Sequence, residues 1–131
     1  MRYLIDTHIL LWLLMAPDKL SARQVAAITN ADEVLVGSIS FWEIALKYQL
    51  GKLSLQGLTP DELPVYAEKS GLTILETGVE LFATFHTLPK LAHKDPFDRL
   101  LIHAAIRHGL ILISQDDSFG DYQEFGLKLL P

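Results

Sequence analysis

The sequence predicts an α/β protein with three layers, in which helices cover both faces of a central, mostly parallel sheet of four to five strands. Short apolar runs alternate along the chain with segments that carry helix-capping signals. The apolar runs show no alternation with polar residues, and strands that are apolar on both sides need cover on both faces, as in a parallel sheet. This order of segments predicts a doubly wound architecture.

Five short apolar runs are the predicted strands. They are Tyr3–Ile5, Val34–Val36, Thr73–Leu75, Leu110–Ile113 and Leu127–Leu130, of which the last is expected at an edge of the sheet. In open parallel sheets, ligands bind beyond the carboxyl ends of the strands. The residues that follow these runs are therefore the first candidates for a functional site.

Helices are predicted between the strands from their capping residues. Ser21 with Gln24 three residues later has the capping-box pattern, and Thr59 with Pro60 at the first helical position begins a second helix. Left-handed C-caps are expected at three glycines that follow helical stretches: Gly51, Gly71 and Gly109.

The clearest predicted helix precedes the fourth strand. Its apolar residues have the spacing of one helical face, and they are Phe97, Leu100, Leu101, Ala104 and Ala105. The opposite side of this helix is expected to be solvated and to carry Arg99, His103 and Arg107.

Composition excludes several classes of protein. The 131 residues are 50% hydrophobic with a mean hydropathy of +0.25, which excludes disorder and suits one domain. No repeat, charge block or Gly/Ser-rich linker marks a boundary, so a single domain over residues 1–131 is expected. The chain has no cysteine, which excludes disulfides, a thiolate metal site and a cysteine nucleophile, and fits a cytoplasmic protein.

Charge and hydropathy limit the partners. Sixteen acidic and eleven basic residues give a formal net charge of −5, which argues against a protein that binds nucleic acid by its own positive charge. Asp6 and His8 interrupt the apolar N-terminal stretch, so a signal peptide is not expected. The apolar run Ile9–Ala16 is far shorter than the ~20 residues of a membrane span, so no membrane association is expected.

Carboxylates occur where the fold class predicts a site. Asp6 follows the first strand, Glu43 lies in the helix after the second strand, Asp98 is near the start of the long helix, and Asp116 and Asp117 follow the fourth strand. All of them can project toward one edge of the sheet. Four carboxylates at one edge would raise one another's pKa values unless a cation held them. Oxygen ligands without cysteine or a histidine pair favour Mg²⁺ or Mn²⁺.

Most of these acids also have structural alternatives. Asp6, Asp116 and Asp95 each suit a helix N-cap, and Asp95 is followed by a proline. Glu43 suits a capping box with Ser40, and it also suits an ion pair with the lysine four residues later.

Asp98 fits a structural role least well. It shares a helical face with Leu101, Ile102 and Ala105, where an unpaired carboxylate would cost several kcal/mol. The neighbouring Arg99 points to a different part of the helix surface.

The other polar and aromatic residues are less informative. The histidines have no metal-ligand spacing, and surface or helix-end positions are expected for His8, His86, His93, His103 and His108. Three aromatic residues are expected in the core and not at the surface as stacking platforms for nucleic-acid bases: Trp12, Phe41 and Trp42. Each of five basic residues is explained equally well as an ordinary solvent-exposed charge. A further hypothesis is that they form a small basic rim beside the acids: Lys47, Lys52, Lys90, Lys94 and Arg99.

Four segments spread along the whole chain form a recognisable pattern: Leu4–His8, Ser40–Lys47 with Gly51–Leu53, His93–Ile102 and Ser114–Asp116. In these segments the chain resembles the PIN-domain nucleases, specifically the VapC-like toxins of bacterial toxin–antitoxin pairs. Each is weakly specific alone, and all of them in this order are specific. The resemblance implies a PIN-like α/β/α fold and a metal-dependent endoribonuclease.

The resemblance also implies roles for individual residues. The catalytic acids would be Asp6, Glu43, Asp98 and Asp116, with Mg²⁺ or Mn²⁺ held mainly by Asp6 and Asp98 and supported, in part through water, by Glu43 and Asp116. Accessory residues would be Asp95, Asp117, Ser114 and Thr7. Substrate contacts would come from Lys47, Lys94 and Arg99.

The same resemblance implies partners. The substrate would be single-stranded or loop RNA, cut by water to leave a 5′-phosphate and a 3′-hydroxyl. A homodimer is expected, together with a small antitoxin protein whose C-terminal segment fills the groove of the enzyme.

Three other interpretations were weighed against this one. A phosphoacceptor signalling domain needs an acidic pair after the first strand and a lysine after the last, and a haloacid-type phosphatase needs Asp-x-Asp where His8 stands. Neither pattern is present. The remaining alternative is a PIN-fold protein-interaction or regulatory module without nuclease activity, which the intact set of acids argues against.

Overall fold

The computed structural model describes residues 1–131 and contains one five-stranded sheet, in which every paired strand is parallel. The strand order is β3-β2-β1-β4-β5. The strands are β1 (Arg2–Ile5), β2 (Glu33–Gly37), β3 (Thr73–Leu75), β4 (Ile111–Ile113) and β5 (Lys128–Leu129). All five predicted strands are therefore confirmed, including the edge position of the last.

Six helices connect and cover the strands. They are α1 (Thr7–Met15), α2 (Ala22–Asn30), α3 (Ser38–Gln49), α4 (Leu63–Lys69), α5 (Val79–Ala83) and α6 (Pro96–His108). Short 3₁₀ helices cover Pro17–Lys19, Pro60–Glu62, Phe85–Thr87 and Asp117–Phe125. None of the helices combines the length and the apolar character that crossing a membrane requires.

A hydrophobic core lies on each face of the sheet. Leu4 and Leu112 point into the core beneath α6, whereas Tyr3, Ile5 and Ile113 point into the core beneath α1 and α4. Successive strand residues face opposite sides, so an uninterrupted apolar strand contributes to both cores. This confirms the predicted three-layer α/β/α fold.

The predicted helix caps are present. Ser21 and Gln24 form a reciprocal capping box, and so do Thr59 and Glu62. The second box begins a 3₁₀ turn instead of entering α4 directly, because Pro64 has no amide hydrogen to bond to a carbonyl one turn earlier. Gly51, Gly71 and Gly109 all have positive φ, at 72°, 90° and 64°.

Gly37 lets α6 approach the end of β2. A Cβ atom built at Gly37 would lie 3.0 Å from Leu101 Cδ2, so any side chain there would push against α6. The same glycine is the N-cap of α3. The sheet edge that carries the acids is thus brought close to α6 by the absence of one side chain.

The predicted solvent exposure of His103 is wrong. His103 is 3% exposed, and its Nε2 lies 3.0 Å from Thr84 Oγ1. The Phe85 ring packs edge-on against the imidazole. Because α5 and the turn after it cover this side of α6, a residue opposite the main apolar stripe is also buried.

Candidate active site

The first acid lies where β1 runs into α1. Asp6 is the N-cap of α1, and its Oδ1 accepts a hydrogen bond of 2.9 Å from the Ile9 amide. Its Oδ2 accepts a bond of 2.6 Å from the Ser114 hydroxyl, which follows β4. Burial raises the pKa of Asp6 although these bonds oppose the change, and the negative charge of Glu43 raises it further. The carboxylate caps a helix and is also part of an acidic cluster.

The second acid lies on α3 and is 3% exposed. Glu43 Oε1 accepts a bond of 2.6 Å from the Thr7 hydroxyl, and Oε2 accepts one of 2.7 Å from Lys47 Nζ. The alternative ion pair with Lys47 is confirmed. The alternative capping box with Ser40 is wrong, because α3 begins at Ser38 and both residues lie inside the helix.

The third acid is in the first turn of α6. The N-cap of this helix is Asp95, whose Oδ1 accepts bonds of 2.9 and 3.1 Å from the amides of Phe97 and Asp98. Asp98 Oδ2 lies 2.9 Å from His93 Nε2. Burial raises the pKa of Asp98 to about 6, the negative charges of Asp95 and Glu43 act in the same direction, and the bond to His93 opposes them.

The fourth acid lies in the loop after β4. Asp116 caps the 3₁₀ helix Asp117–Phe125, and its Oδ1 accepts bonds of 2.9 and 2.7 Å from the amide and hydroxyl of Ser118. These bonds lower the pKa of Asp116. The amide of Asp116 donates in turn to Ser114 Oγ at 3.0 Å. Asp116 is exposed and keeps its negative charge at neutral pH.

Two of the four acids, Asp98 and Asp116, could reach one ion, and His93 lies beside them. The ligand atoms of His93, Asp98 and Asp116 all lie within 4.8 Å of one another. Two carboxylates suit Mg²⁺, and carboxylates with an imidazole also suit Mn²⁺. Burial is the main cause of the raised pKa values of Asp6 and Asp98, and the negative charge of Glu43 raises both further. The donor set and the charge both fit a divalent cation.

Comparison with known proteins decides the family. A family model described as "PIN domain" matches residues 3–124. The chain belongs to the PIN domain family. This PIN domain is similar to Ribonuclease VapC22 of Mycobacterium tuberculosis (strain ATCC 25618 / H37Rv), with 33% identity over 113 residues, which are 86% of this chain and 85% of that protein.

Solved structures share the same architecture. The crystal structure of FitAcB from Neisseria gonorrhoeae matches with a TM-score of 0.67 and 20% identity, over 100% of this chain and 97% of that chain. The 2.2 Å structure of VapBC-1 from nontypeable Haemophilus influenzae matches with a TM-score of 0.69 and 15% identity, over 98% and 96%. These likenesses concern the fold.

The PIN domain brings the predicted acids together through hydrogen bonds and charge. Asp6 is joined through Ser114 to Asp116, and Glu43 acts electrostatically on both Asp6 and Asp98. Two predicted accessory residues contact these acids, because Ser114 donates to Asp6 and Thr7 donates to Glu43. Of the other two, Asp95 caps α6 and Asp117 is exposed.

The predicted substrate-binding residues have different surroundings. Lys47 is bonded to Glu43, and Lys94 is exposed. Arg99 is tied into the fold: its guanidinium donates to the Tyr122 hydroxyl and to the Pro89 carbonyl, both at 3.4 Å. It also stacks over the Phe85 ring, 4.8 Å from the centroid.

Sequence reasoning missed His93. It was expected at the surface or at a helix end, but its side chain is 15% exposed and contacts Asp98 and Ser118. A signal was present: His93 lies two residues before the N-cap Asp95, and Asp98 is the third residue of the helix. Side chains just before an N-cap pack against the first turn of the helix.

An apolar groove of about 410 Å³ adjoins the acids. Its walls come from α3, α5, the turn after α5 and α6, and include Trp42 and Phe97, the sequence neighbours of Glu43 and Asp98. The Trp42 and Phe97 rings meet edge-on with centroids 5.2 Å apart. Trp42 is 60% exposed, so its predicted place in the core is wrong, whereas Trp12 and Phe41 do pack against the core.

Proposed function

We propose that this PIN domain is an endoribonuclease that depends on Mg²⁺ or Mn²⁺ and acts as the toxin of a toxin–antitoxin pair. The observation that carries the proposal is the meeting of acids from four separate segments, two of them with raised pKa values. The similarity to Ribonuclease VapC22 supports cleavage of RNA as the reaction. We further propose that residues 1–131 form one nuclease domain and that the protein works in the cytoplasm.

The acids would divide the work of holding the cation. Asp6 and Asp98 would be the principal ligands, and Glu43 and Asp116 would support the ion, in part through water. When bound, the ion supplies an activated water and neutralises charge at the phosphodiester. The Ser114 and Thr7 hydroxyls keep the Asp6 and Glu43 carboxylates oriented through bonds of 2.6 Å each.

The substrate would meet the protein through few positive groups. Lys47, 39% exposed at its side chain and paired with Glu43, stands beside the acids, and Lys94 is exposed near the start of α6. Arg99 would have to leave Tyr122 and Pro89 to contact RNA. A chain with a net charge of −5 gains little from nonspecific attraction to phosphate, so a flexible single strand or loop that reaches the ion is the expected substrate.

The apolar groove beside the acids suits the proposed antitoxin. Trp42 and Phe82 are 60% and 50% exposed on its walls, and exposed apolar surface of this kind is typical of a protein-binding site. The solved complexes VapBC2 from Rickettsia felis and FitAcB from Neisseria gonorrhoeae share the fold. We propose that a C-terminal segment of a small antitoxin fills this groove and that the toxin is a homodimer.

Cleavage of defined RNAs by the purified protein tests the proposed function. Mn²⁺-dependent cutting that stops with a chelator and leaves 5′-phosphate ends is the expected result. Asp6→Asn should reduce cleavage by at least about 100-fold, because a lost ligand should cost at least as much as a lost supporting residue. Asparagine keeps an oxygen for the Ile9 amide, so the variant should fold.

The exposed Asp18→Asn is the matched control, because Asp18 lies in the 3₁₀ turn after α1 and none of the acids discussed above is bonded to it. It should cut as the wild type does. Full activity of folded Asp6→Asn, or cleavage that resists the chelator, would overturn the metal mechanism. No cleavage by the folded wild type with Mn²⁺ would favour the alternative module without nuclease activity.

A further inference from the structure

His93 joins two of the acids that the proposed function assigns to the metal ion. It lies in the loop before α6. Its Nε2 is 2.9 Å from Asp98 Oδ2, and its Nδ1 is 2.8 Å from Ser118 Oγ. Both ring nitrogens therefore have partners, and the partners belong to different elements of the fold.

The direction of the bond to Ser118 follows from counting donors. A serine hydroxyl has one hydrogen, and Ser118 donates it to Asp116 Oδ1 at 2.7 Å. The Ser118 oxygen must then accept from the Nδ1–H of His93. With hydrogen on both ring nitrogens, the His93 ring donates directly to the Asp98 carboxylate and reaches the Asp116 carboxylate through a single hydroxyl.

The hydrogen-bonded link continues from Asp116 to Asp6. The Asp116 amide donates to Ser114 Oγ at 3.0 Å, and the Ser114 hydroxyl donates to Asp6 Oδ2 at 2.6 Å. A connected series of residues therefore runs from Asp98 on α6, through His93 and the loop after β4, to Asp6 at the end of β1.

The imidazole is held in place by packing. Its ring lies edge-on to the Phe119 ring, with centroids 5.1 Å apart and an interplanar angle of 89°. Phe119 is fully buried. A ring fixed in this way can fix its partners. Without His93, Asp98 would lose the hydrogen bond that connects it, through His93 and Ser118, to Asp116, and the like charges would favour separation of the two carboxylates.

We propose that His93 is a positioning residue that holds the Asp98 and Asp116 carboxylates together for one divalent cation without binding the cation itself. The inference rests on the proposed function, since it needs the acids to be metal ligands. Direct coordination is the competing role, because the His93 ligand atom lies within 4.8 Å of both carboxylates. It would require the ring to give up one of its two hydrogen bonds.

Three substitutions of His93 test whether it positions the carboxylates or binds the cation directly. The Mn²⁺ affinity of the full chain is measured from the electron paramagnetic resonance signal of free Mn²⁺. His93→Ala removes both bonds and should raise the Kd for Mn²⁺ by about 10- to 100-fold. His93→Gln places an amide near the former Nε2 and should restore the bond to Asp98. His93→Asn places one near the former Nδ1 and should restore the bond to Ser118. Each amide variant should recover part of the affinity.

The exposed His86→Ala is the control and should leave Mn²⁺ affinity and thermal melting unchanged. If His93→Ala does not fold, the glutamine and asparagine variants carry the test. Electron spin echo spectra of the Mn²⁺-loaded wild type should show no nitrogen coupling from a coordinated imidazole.

Three results would overturn the proposal. A nitrogen coupling that disappears in His93→Gln would make His93 a direct ligand. Wild-type affinity in a folded His93→Ala would remove any role in metal binding and leave the proposed function standing. A wild-type protein that binds no Mn²⁺ would overturn the positioning role and the Mn²⁺ site of the proposed function together.

Discussion

Helix α6 carries ionisable side chains on two faces, and their surroundings differ in kind. His103 is buried against Phe85, its Nε2 lies 3.0 Å from the Thr84 hydroxyl, and burial lowers its pKa with help from the positive charge of Arg107. The fold therefore favours the neutral imidazole. Asp98, five residues earlier, faces other acids, and its pKa is raised to about 6.

The difference separates a histidine that burial and Arg107 keep neutral from a carboxylate that lies beside the negative charges of Asp95 and Glu43. Every buried side-chain nitrogen and oxygen has a hydrogen-bond partner, so hydrogen bonds are not what the acidic edge lacks. Negative charge is what accumulates there, because Glu43 acts electrostatically on both Asp6 and Asp98, while Lys47 is hydrogen-bonded to Glu43. Repulsion of this kind costs stability and is tolerated where a ligand relieves it.

The largest effect should come from neutralising the acidic face of α6. Asp98→Asn removes a proposed principal ligand and should weaken Mn²⁺ binding by at least about 100-fold, whereas the buried neutral site should tolerate His103→Gln without loss of affinity. Isothermal titration of both variants with Mn²⁺ measures this contrast. Equal losses in the two variants would mean that the integrity of α6, rather than the charge at its start, determines metal binding.

The fold could be predicted from the sequence because its signals are local. The five strands are uninterrupted apolar runs, and the apolar stripe that starts at Phe97 faces the core as expected. Ser21 and Asp95 cap their helices as predicted, since a cap depends on a few adjacent residues. The acids could be placed near one edge because parallel strands end on the same side of a sheet.

The errors arose where contacts between distant segments decide the outcome. His103 is buried because α5 covers a helix face that looks polar in sequence, and Trp42 is exposed because it lines a groove instead of the core. Glu43 lies too far into α3 for a capping box, because β2 runs directly into that helix at Gly37. The contact of His93 with Ser118 joins residues 25 positions apart, which no local pattern predicts.

A second effect concerns stability without metal. The pKa of Asp98 rises from its ordinary value of 3.8 to about 6 on folding, so its contribution to stability is present at low pH and is lost as pH rises through 6. Between pH 4 and pH 7.5, ionisation of Asp98 should lower the free energy of unfolding, by an amount that solvent around the partly exposed carboxylate reduces. Urea unfolding of the wild type and Asp98→Asn at both pH values, in chelator, isolates this contribution.

The comparison of variants matters because other groups titrate in the same range. Asp32 and Asp116 have lowered pKa values and favour folding at higher pH, so the wild-type curve alone mixes opposite trends. The difference between the wild type and Asp98→Asn removes them. Adding Mn²⁺ at pH 7.5 should stabilise the wild type and leave the variant nearly unchanged. If the difference in unfolding free energy between the two proteins did not change with pH, the raised pKa of Asp98 would be contradicted.

The smallest effect on stability should come from His103, on the enclosed face of α6. Its pH dependence has the opposite sign to that of Asp98. The lowered pKa of His103 means that its contribution to stability is present above its ordinary pKa of 6.5 and is lost as pH falls below that value, because protonation places a charge in a buried site. Arg107 and His86 add to that cost, whereas Glu80 and a backbone bond to Leu81 oppose it.

His103→Gln keeps a donor for Thr84 but cannot be protonated, so its free energy of unfolding should fall less than that of the wild type between pH 7 and pH 5. The change should be smaller than that at Asp98, because Glu80 partly balances the charge of protonated His103, whereas Asp95 and Glu43 both oppose ionisation of Asp98. Urea unfolding at the two pH values measures both proteins. Divalent metal should not alter this difference, since His103 faces α5 and the turn after it, on the side of α6 away from the acids. An Mn²⁺-dependent difference would show that the two faces of α6 are coupled and that the contrast between them is not local.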